Sequence, residues 1–421
     1  MNKILNIALG DMSSGELGIA FSFIENQVHA QRINYILIPE EKKQILDEGL
    51  HVKVFALSKE NPSAENQKYV TELISQIKPN LIILFDVFTF EYAQNWTGCN
   101  LDYLKKFNIP IVSLDEYEYT RTNYKIDYYG IFVKKLPALL NQCDYILKNC
   151  PLAMPRCQQN TMETESPTYY YYKVFQKLDL IDLSSREQIR KSYFGVNDFK
   201  TRVVFFTTSF WEVEGAYSFA CQNQLSKWIG PIVYHYLSDL KEKIVLFHVG
   251  KENWKIDSNL YVQYIHVDSM RTKEFEKVLQ ASDLFITYNI VSITLSKAVM
   301  FNVPSLVLNN RKIIDFEKLK STVLKRPEWY REMAYEVKKV YPFSASLFGW
   351  ENFLKPCLQN NSYVDTFKRA DVFNYNMTLT LLRDMLYDDH CREQLIKKGT
   401  EFKIEYERIP SSEAVLETIL E

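Results

Sequence analysis

Apolar strand-like runs alternate with amphipathic stretches along most of the chain, and this alternation restricts the fold more than any other feature. It is typical of doubly wound parallel sheets. The predicted strands are 4–9, 33–38, 52–57, 81–85, 109–114, 144–147, 203–207, 244–248, 262–267, 284–287 and 305–308. The predicted helices are near 16–30, 40–48, 65–77, 99–107, 217–240, 272–281 and 292–301.

The alternation stops and restarts, which indicates two domains. A chain of 421 residues is also too long for one ordinary core. The stretch 151–172, with three prolines and a run of four tyrosines, fits neither period and predicts irregular structure. We therefore expect a first domain at 1–175, a second at 176–376 with a basic and aromatic insertion at about 311–375, and C-terminal helices at 377–421. A ligand is expected in the cleft between the two sheets.

Composition excludes several classes of protein. The net charge of −2 provides no long-range field, which argues against nucleic acid as a partner. Seven cysteines without a Cys-x-x-Cys pair favour reduced thiols and a cytoplasmic location. Six scattered histidines show no metal-ligand spacing. No run is long enough for a transmembrane segment, and residues 1–10 fit a first buried strand better than a signal peptide.

The segment 281–308 carries the main functional signal. It predicts a buried strand, a short turn, a helix beginning near Ser292, and a second strand after Pro304. Such a turn places backbone N–H groups and the positive end of a helix dipole at the carboxyl edge of the sheet. This is a suitable site for a diphosphate. With only 12 glycines in the chain, any phosphate loop is not of the glycine-rich kind.

Four motifs resemble the GT-B glycosyltransferases, whose fold is a pair of facing Rossmann-like domains. They are Leu9–Gly18, Tyr264–Met270, Ala281–Asn289 and Thr294–Pro304. The nearest likeness is to the branch with the peptidoglycan lipid-intermediate N-acetylglucosaminyltransferase and the UDP-glycosyltransferases. The resemblance implies an α/β fold with C-terminal helices. It also implies transfer of a sugar from a nucleotide-activated donor to a small-molecule acceptor, with no metal or other cofactor. The oligomeric state stays open, with a homodimer among the alternatives.

The resemblance also implies a donor site in the second domain. Its residues would be Thr207, Thr208, Ser209, Gly250, His266, Val267, Asn289, Val291, Ser292, Ile293, Thr294 and Lys297. Lys297 stands where the family has a glutamate that grips two ribose hydroxyls, and a lysine cannot accept those hydrogen bonds. Three interpretations stay open: Lys297 pairs with phosphate, donor binding is altered or lost, or the lysine faces solvent. Val291 and Asn302 also depart from the family pattern.

The catalytic base and the acceptor site are expected in the first domain. Glu16 follows Gly15 where the family has a histidine base, and Asp11 is the nearby substitute. The alternative is that Glu16 only complements the dipole of its helix. The expected acceptor-binding residues are Asp86, Asp115, Glu116, Tyr117 and Tyr119, with a tyrosine-rich core edge as the alternative.

The sequence leaves open whether the protein is a catalyst. One alternative is a non-catalytic GT-B relative that binds a partner or a metabolite. Another is a non-transferase enzyme on the same scaffold, such as a sugar-nucleotide epimerase. A fold does not determine a function.

Overall fold

The structure is a computed structural model that describes residues 2–10, 15–25, 27, 32–46, 51–115, 137–155, 168–176, 178–198, 200–208, 226–309, 314–339 and 349–421. The first part of the chain forms a seven-stranded sheet in the order β3-β2-β1-β4-β5-β6-β7. Each neighbouring pair of strands is parallel. The strands are β1 Asn2–Ile7, β2 Arg32–Pro39, β3 Lys53–Leu57, β4 Leu81–Leu84, β5 Ile111–Asp115, β6 Tyr145–Cys150 and β7 Thr168–Lys173.

The second part forms a six-stranded parallel sheet in the order β10-β9-β8-β11-β12-β13. Its strands are β8 Arg202–Thr207, β9 Ile244–Val249, β10 Val262–Val267, β11 Leu284–Thr287, β12 Ser305–Asn309 and β13 Lys368–Asp371. Counted from β8, this is the 3-2-1-4-5-6 strand order of a Rossmann fold. The predicted α/β class with two Rossmann-like domains is confirmed.

Helices connect the strands and cover the sheets. Those in the described ranges are α1 Gly15–Glu25, α2 Ser63–Ile77, α3 Val87–Tyr92, α4 Gln94–Thr97, α5 Leu101–Lys105, α6 Pro137–Leu140, α7 Leu183–Phe194, α8 Ile229–Asp239, α9 Thr272–Ala281, α10 Ile293–Met300, α11 Lys320–Val323, α12 Glu328–Val337, α13 Gly349–Leu358, α14 Tyr375–Tyr387, α15 Asp389–Tyr406 and α16 Ser412–Leu420. Short 3₁₀ helices occupy Glu40–Ile45, Ser226–Trp228 and Ser362–Thr366.

The prediction of irregular structure over 151–172 is wrong at its end, because Thr168–Lys173 is strand β7 and pairs with β6. The rings of Tyr169 and Tyr171 lie 5.0 and 5.6 Å from the ammonium of Lys148. Tyr172 points to the other face and packs against Phe23, with ring centroids 5.3 Å apart. Because the same residue type stands on both faces, the strand period is invisible in a pattern of polar and apolar residues.

Strand β13 lies inside the stretch expected to be an insertion. Its sequence is Lys-Arg-Ala-Asp, which contains no apolar run that would predict a strand. It becomes a strand by pairing with β12 at the edge of the second sheet.

The C-terminal helices contact both domains. Helix α14 buries Leu382 and Leu386 in an apolar cluster of the second sheet. Helix α16 returns to the first domain, where the Ser412 hydroxyl donates to the Phe23 carbonyl at 3.2 Å. Another buried apolar cluster runs from Ile4 and Phe23 in the first domain to Phe205 and Phe285 in the second. None of the described helices is both long and apolar enough to cross a membrane.

Candidate functional site

Each sheet has one place where the chain reverses its direction of winding. In the first sheet it lies between the neighbours β1 and β4, and in the second between β8 and β11. Parallel sheets bind ligands at such a point, outside the carboxyl ends of the strands. A ligand is therefore expected at the loops that follow these four strands.

These four loops meet in a single cleft with a cavity volume of about 360 Å³. This volume lies in the range of small-molecule sites. The first domain contributes Gly10 and Glu16 after β1, and Asp86 and Thr89 after β4; the second contributes Thr207 and Thr208 after β8, and Asn289, Val291 and Ser292 after β11. The cleft thus brings together residues that are about 280 positions apart in the chain.

The second-domain wall of the cleft contains the start of helix α10. Its N-cap residue, Ser292, makes no side-chain capping hydrogen bond. The Asn289 side chain accepts from the Val291 amide at 3.0 Å and so holds the turn. Ile293 and Thr294 in the first helical turn also line the cleft. The positive end of this helix therefore faces the cavity.

Lys297 lies in the same helix and lines the cleft, although only 5% of it is exposed. Its ammonium pairs with the Glu276 carboxylate of helix α9 at 2.5 Å. The interpretation of Lys297 as a solvent-facing lysine is therefore wrong. Glu276 thus places a carboxylate beside position 297, where the GT-B glycosyltransferases have a glutamate.

A buried polar chain supports the loops after β8 and β9. The Thr208 hydroxyl lies 2.8 Å from His248 Nε2, and His248 Nδ1 lies 2.9 Å from the Tyr264 hydroxyl. Burial, followed by the charge of His266, lowers the pKa of His248 to about 3. The imidazole is consequently neutral near pH 7, with one nitrogen to accept a hydrogen bond and one to donate.

Gly250 lines the cleft beside this chain. A Cβ atom there would lie 2.4 Å from the Thr208 hydroxyl oxygen, so only glycine fits. The His266 ring donates from Nε2 to the Gly250 carbonyl at 2.7 Å. His266 and its neighbour Val267 do not line the cavity, so their position is that of a support for the Gly250 loop.

Glu16 is in the first turn of α1 and is only 7% exposed. A Cβ at Gly10 would lie 1.8 Å from its Oε2 atom and 3.3 Å from the Cβ of Thr89. The carboxylate therefore lies across the bare backbone of Gly10, at the junction of the loops after β1 and β4. A side chain at position 10 would displace the carboxylate from this position.

Asp86 follows β4 with the unusual backbone angle φ of 102°. Its Oδ1 accepts from the Phe88 amide at 2.8 Å, which caps helix α3. Backbone strain of this kind concentrates at functional sites. Asp115 is fully buried at the end of β5 and does not line the cleft. Asp11, Ser209, Glu116, Tyr117 and Tyr119 lie outside the described residues.

One family model, described as a family of unknown function (DUF6365), matches residues 26–421. The chain belongs to that family. No curated protein matches this DUF6365 member.

Solved structures share the fold of the DUF6365 chain across its length. Spinosyn rhamnosyltransferase SpnG complexed with thymidine diphosphate is 10% identical, with a TM-score of 0.53 and 100% of both chains covered. Arabidopsis thaliana UGT89C1 complexed with UDP is 10% identical, with a TM-score of 0.56 over 100% of this chain and 99% of the other. UDP-GlcNAc 2-epimerase from Neisseria meningitidis bound to UDP-GlcNAc is 12% identical, with a TM-score of 0.57 and 99% of both chains covered. These similarities confirm the predicted GT-B fold.

Several residues that line or support the site of this DUF6365 protein were not predicted from its sequence. Glu276 and His248 gain their positions only through contacts with other elements. Asn149 was detectable in principle, because it is a polar residue two positions after a predicted strand and it lines the cleft. Among the described residues, no three His, Cys, Asp or Glu side chains are grouped as a metal site would require.

Proposed function

We propose that the protein binds a nucleotide-activated sugar in the cleft and transfers the sugar to a small-molecule acceptor. The observation that carries this proposal is the convergence of both winding reversals on one cavity. The second domain presents a helix start and the first presents a buried carboxylate, Glu16. Transfer of a sugar to a hydroxyl is helped by a group that stabilises the anionic leaving group and by a group that accepts the hydroxyl proton. The helix start is suited to the first role and Glu16 to the second.

The diphosphate of the donor would lie against the start of α10. Backbone amides of Ile293 and Thr294 and the hydroxyls of Ser292 and Thr208 are the donors available to it in the cleft. A helix N-terminus stabilises the negative charge that grows on the departing diphosphate. We therefore propose that transfer needs no metal.

Glu16 would take the proton of the acceptor hydroxyl. As the acceptor oxygen forms its bond to the anomeric carbon, the bond from that carbon to the diphosphate oxygen breaks. The nucleoside diphosphate leaves with the electron pair, and the proton remains on Glu16. Asp11 is the proposed substitute if Glu16 has only a structural role.

Two of the similar structures are named as transferases or as complexes with nucleoside diphosphates. SpnG is described with thymidine diphosphate and UGT89C1 with UDP. These nucleotides are the first ligands to test on this protein. We also propose a cytoplasmic location and independence from other cofactors. A homodimer stays one of the alternatives for the oligomeric state.

A second candidate is epimerisation of a sugar nucleotide. The observation that favours it is the presence of a second carboxylate, Asp86, on the same cleft wall as Glu16. The 2-epimerase among the similar structures has the same fold. Incubation of UDP-GlcNAc with the protein in heavy water, without any acceptor, separates the two candidates. Deuterium on the sugar ring would favour epimerisation.

Calorimetric titration with UDP, dTDP, GDP and CMP tests the donor site. We expect at least one to bind, and binding to weaken at least tenfold in Lys297→Ala if the lysine approaches phosphate. The matched control is Lys273→Ala, an exposed lysine whose ammonium is 3.8 Å from Glu25. No binding by any nucleotide at millimolar concentration would contradict the proposal.

Glu16→Gln tests the base. It should keep nucleotide affinity and lower turnover by about 10²–10⁴-fold, the usual contribution of a general base. Glu25→Gln, in the last turn of the same helix, is the control and should leave turnover unchanged. Unchanged turnover in Glu16→Gln would refute the base assignment.

A further inference from the structure

One part of the cleft lies entirely within the first domain, between helix α1 and the ends of β6 and β7. We call it the inner subsite. Its lining residues are Gly18, Ile19, Asn149, Cys150, Leu152 and Val174. None of these described residues carries a charge, and all except Asn149 are apolar or lack a side chain.

The side chain of Asn149 lies on the side of the sheet that borders this subsite. Lys148 directs its ammonium over the rings of Tyr169 and Tyr171 on one face of the sheet. Successive side chains of a strand alternate between faces. Asn149 is therefore on the opposite face, together with Tyr172, its partner in the ladder, which packs against Phe23 of α1.

The carboxamide of Asn149 is buried and has no hydrogen-bond partner among the described residues. Only 5% of the residue is exposed, and neither Oδ1 nor Nδ2 makes a hydrogen bond with any described residue. Leaving a buried donor or acceptor unsatisfied costs about 1–3 kcal/mol. Such groups are rare in folded proteins and need an explanation. A ligand that pairs with both ends of the carboxamide provides one.

Gly18 provides a second, independent observation. A Cβ atom placed there would meet no atom of the described residues within 4 Å, so none of these atoms requires a glycine. Glycine inside a helix costs about 0.5–1 kcal/mol relative to alanine. The open space beside α1 leaves room for a ligand to approach the helix backbone next to the inner subsite.

The distance to Glu16 sets the length of the ligand. The Glu16 carboxylate lies by the loops after β1 and β4, whereas Asn149 is the penultimate residue of β6, two strands away from β4. Adjacent strands are about 4.8 Å apart, so the separation is about 10 Å. A molecule of one or two rings spans this distance.

We propose that the acceptor is a neutral, largely apolar small molecule whose amide-like group pairs with Asn149 and whose hydroxyl reaches Glu16. The group must both accept and donate hydrogen bonds, as a carboxamide or a lactam does, because Asn149 offers one acceptor and two donors. A charged group is disfavoured in the inner subsite because none of its described lining residues carries a charge that could compensate the desolvation. This proposal rests on the proposed function.

The probe is 3-(4-hydroxyphenyl)propanamide, whose amide and hydroxyl lie at opposite ends, compared with the corresponding carboxylic acid and amine. Binding is measured by ligand-detected NMR on the full-length protein at millimolar concentration. We expect the amide to bind at least fivefold more tightly than either charged analogue. Asn149→Leu should weaken amide binding about tenfold, since two hydrogen bonds are lost, and Gly18→Leu should abolish it. Asn95→Leu, on the exposed helix α4, is the matched control and should change nothing.

Stability provides the second readout. Because the Asn149 carboxamide has no hydrogen-bond partner in the described part of the chain, Asn149→Leu should be at least as stable as the wild type while it loses the probe. A loss of stability, equal binding of the three probes, or unchanged amide binding in Asn149→Leu would each overturn the proposal. Nucleotide titration in parallel separates the failures: if a nucleotide binds and the amide does not, only the acceptor inference fails. If no nucleotide binds, the proposed function fails.

Discussion

At the scale of single residues, buried polar side chains carry most of the information that is specific to this protein. His248 is fully buried, and it is flanked by the Thr208 and Tyr264 hydroxyls and by the His266 ring 5.1 Å away. Its pKa is lowered to about 3, from an ordinary value of 6.5. The folded protein therefore keeps this imidazole neutral at acidities where the unfolded chain would protonate it.

This difference predicts a dependence of stability on pH. Below pH 6.5 the unfolded chain binds a proton at His248 that the folded protein does not bind until the pH reaches about 3. The contribution of a neutral His248 is thus fully present above pH 6.5, and it is lost by about 1.4 kcal/mol per pH unit below. Urea unfolding from about pH 7.5 to about pH 5 should show the wild type losing more stability than His248→Gln.

His51→Gln is the control for this series, because His51 is exposed and its removal should leave the pH dependence as in the wild type. Equal slopes for the wild type and His248→Gln would mean that His248 is protonated in the folded protein.

At the scale of elements, one carboxylate connects the strands that border the winding reversal of the second sheet. Asp283 precedes β11 and accepts from Arg190 at 2.9 Å, from Arg186 at 2.9 Å and from the Val203 amide of β8 at 2.8 Å. The arginines belong to α7, which begins at the capping residue Asp182. Asp283 thereby holds α7, β8 and β11 together in the domain that carries the proposed donor site.

Arg190→Leu should lower the free energy of unfolding by about 3 kcal/mol. This is the lower end of the cost of breaking a buried ion pair, because Arg186 still pairs with Asp283. Both partners are 3% exposed, so the remaining charge cannot be solvated fully. Lys191→Leu, an exposed change on the same helix, should stay within about 0.5 kcal/mol. A loss below about 1 kcal/mol for Arg190→Leu in urea unfolding would contradict this role of the pair.

The same scale shows where prediction from sequence succeeded. Strands β10 and β11 have the predicted bounds, Val262–Val267 and Leu284–Thr287, because their apolar runs end at polar turns. Strands β7 and β13 could not be predicted as such. One has tyrosines on both faces and the other has almost no apolar residues, so only pairing with a neighbour makes them strands.

At the scale of the whole molecule, the chain ends on the domain where it began. Leu416 of α16 is completely buried in the cluster that includes Phe23, and Arg32 is 3.6 Å from the Glu413 carboxylate. The Tyr406 hydroxyl accepts from the Phe175 amide at 2.8 Å just before this return. The last residues therefore stabilise the first domain and the chain crossing between the domains.

Leu416→Ala should lower the free energy of unfolding by about 2–5 kcal/mol, the cost of a cavity in a packed core. Hydrogen exchange should accelerate mainly in α1 and β7, which lie against α16. Thr418→Ala, exposed on the same helix, is the control. Faster exchange confined to the second sheet would show that α16 does not stabilise the first domain.

The sequence by itself determined the local structure: the alternation of strands and helices, two parallel sheets, and a turn into a helix at Ser292 on a sheet edge. These follow from periodicity and turn chemistry, which act over a few residues. Only the tertiary structure decided which side chains meet. It buried Lys297 against Glu276, set Glu16 across Gly10 and brought α16 back to the first domain. It also left the Asn149 carboxamide without a hydrogen-bond partner among the residues that the structure describes. Such contacts join residues far apart in the chain, and packing, not local pattern, selects them.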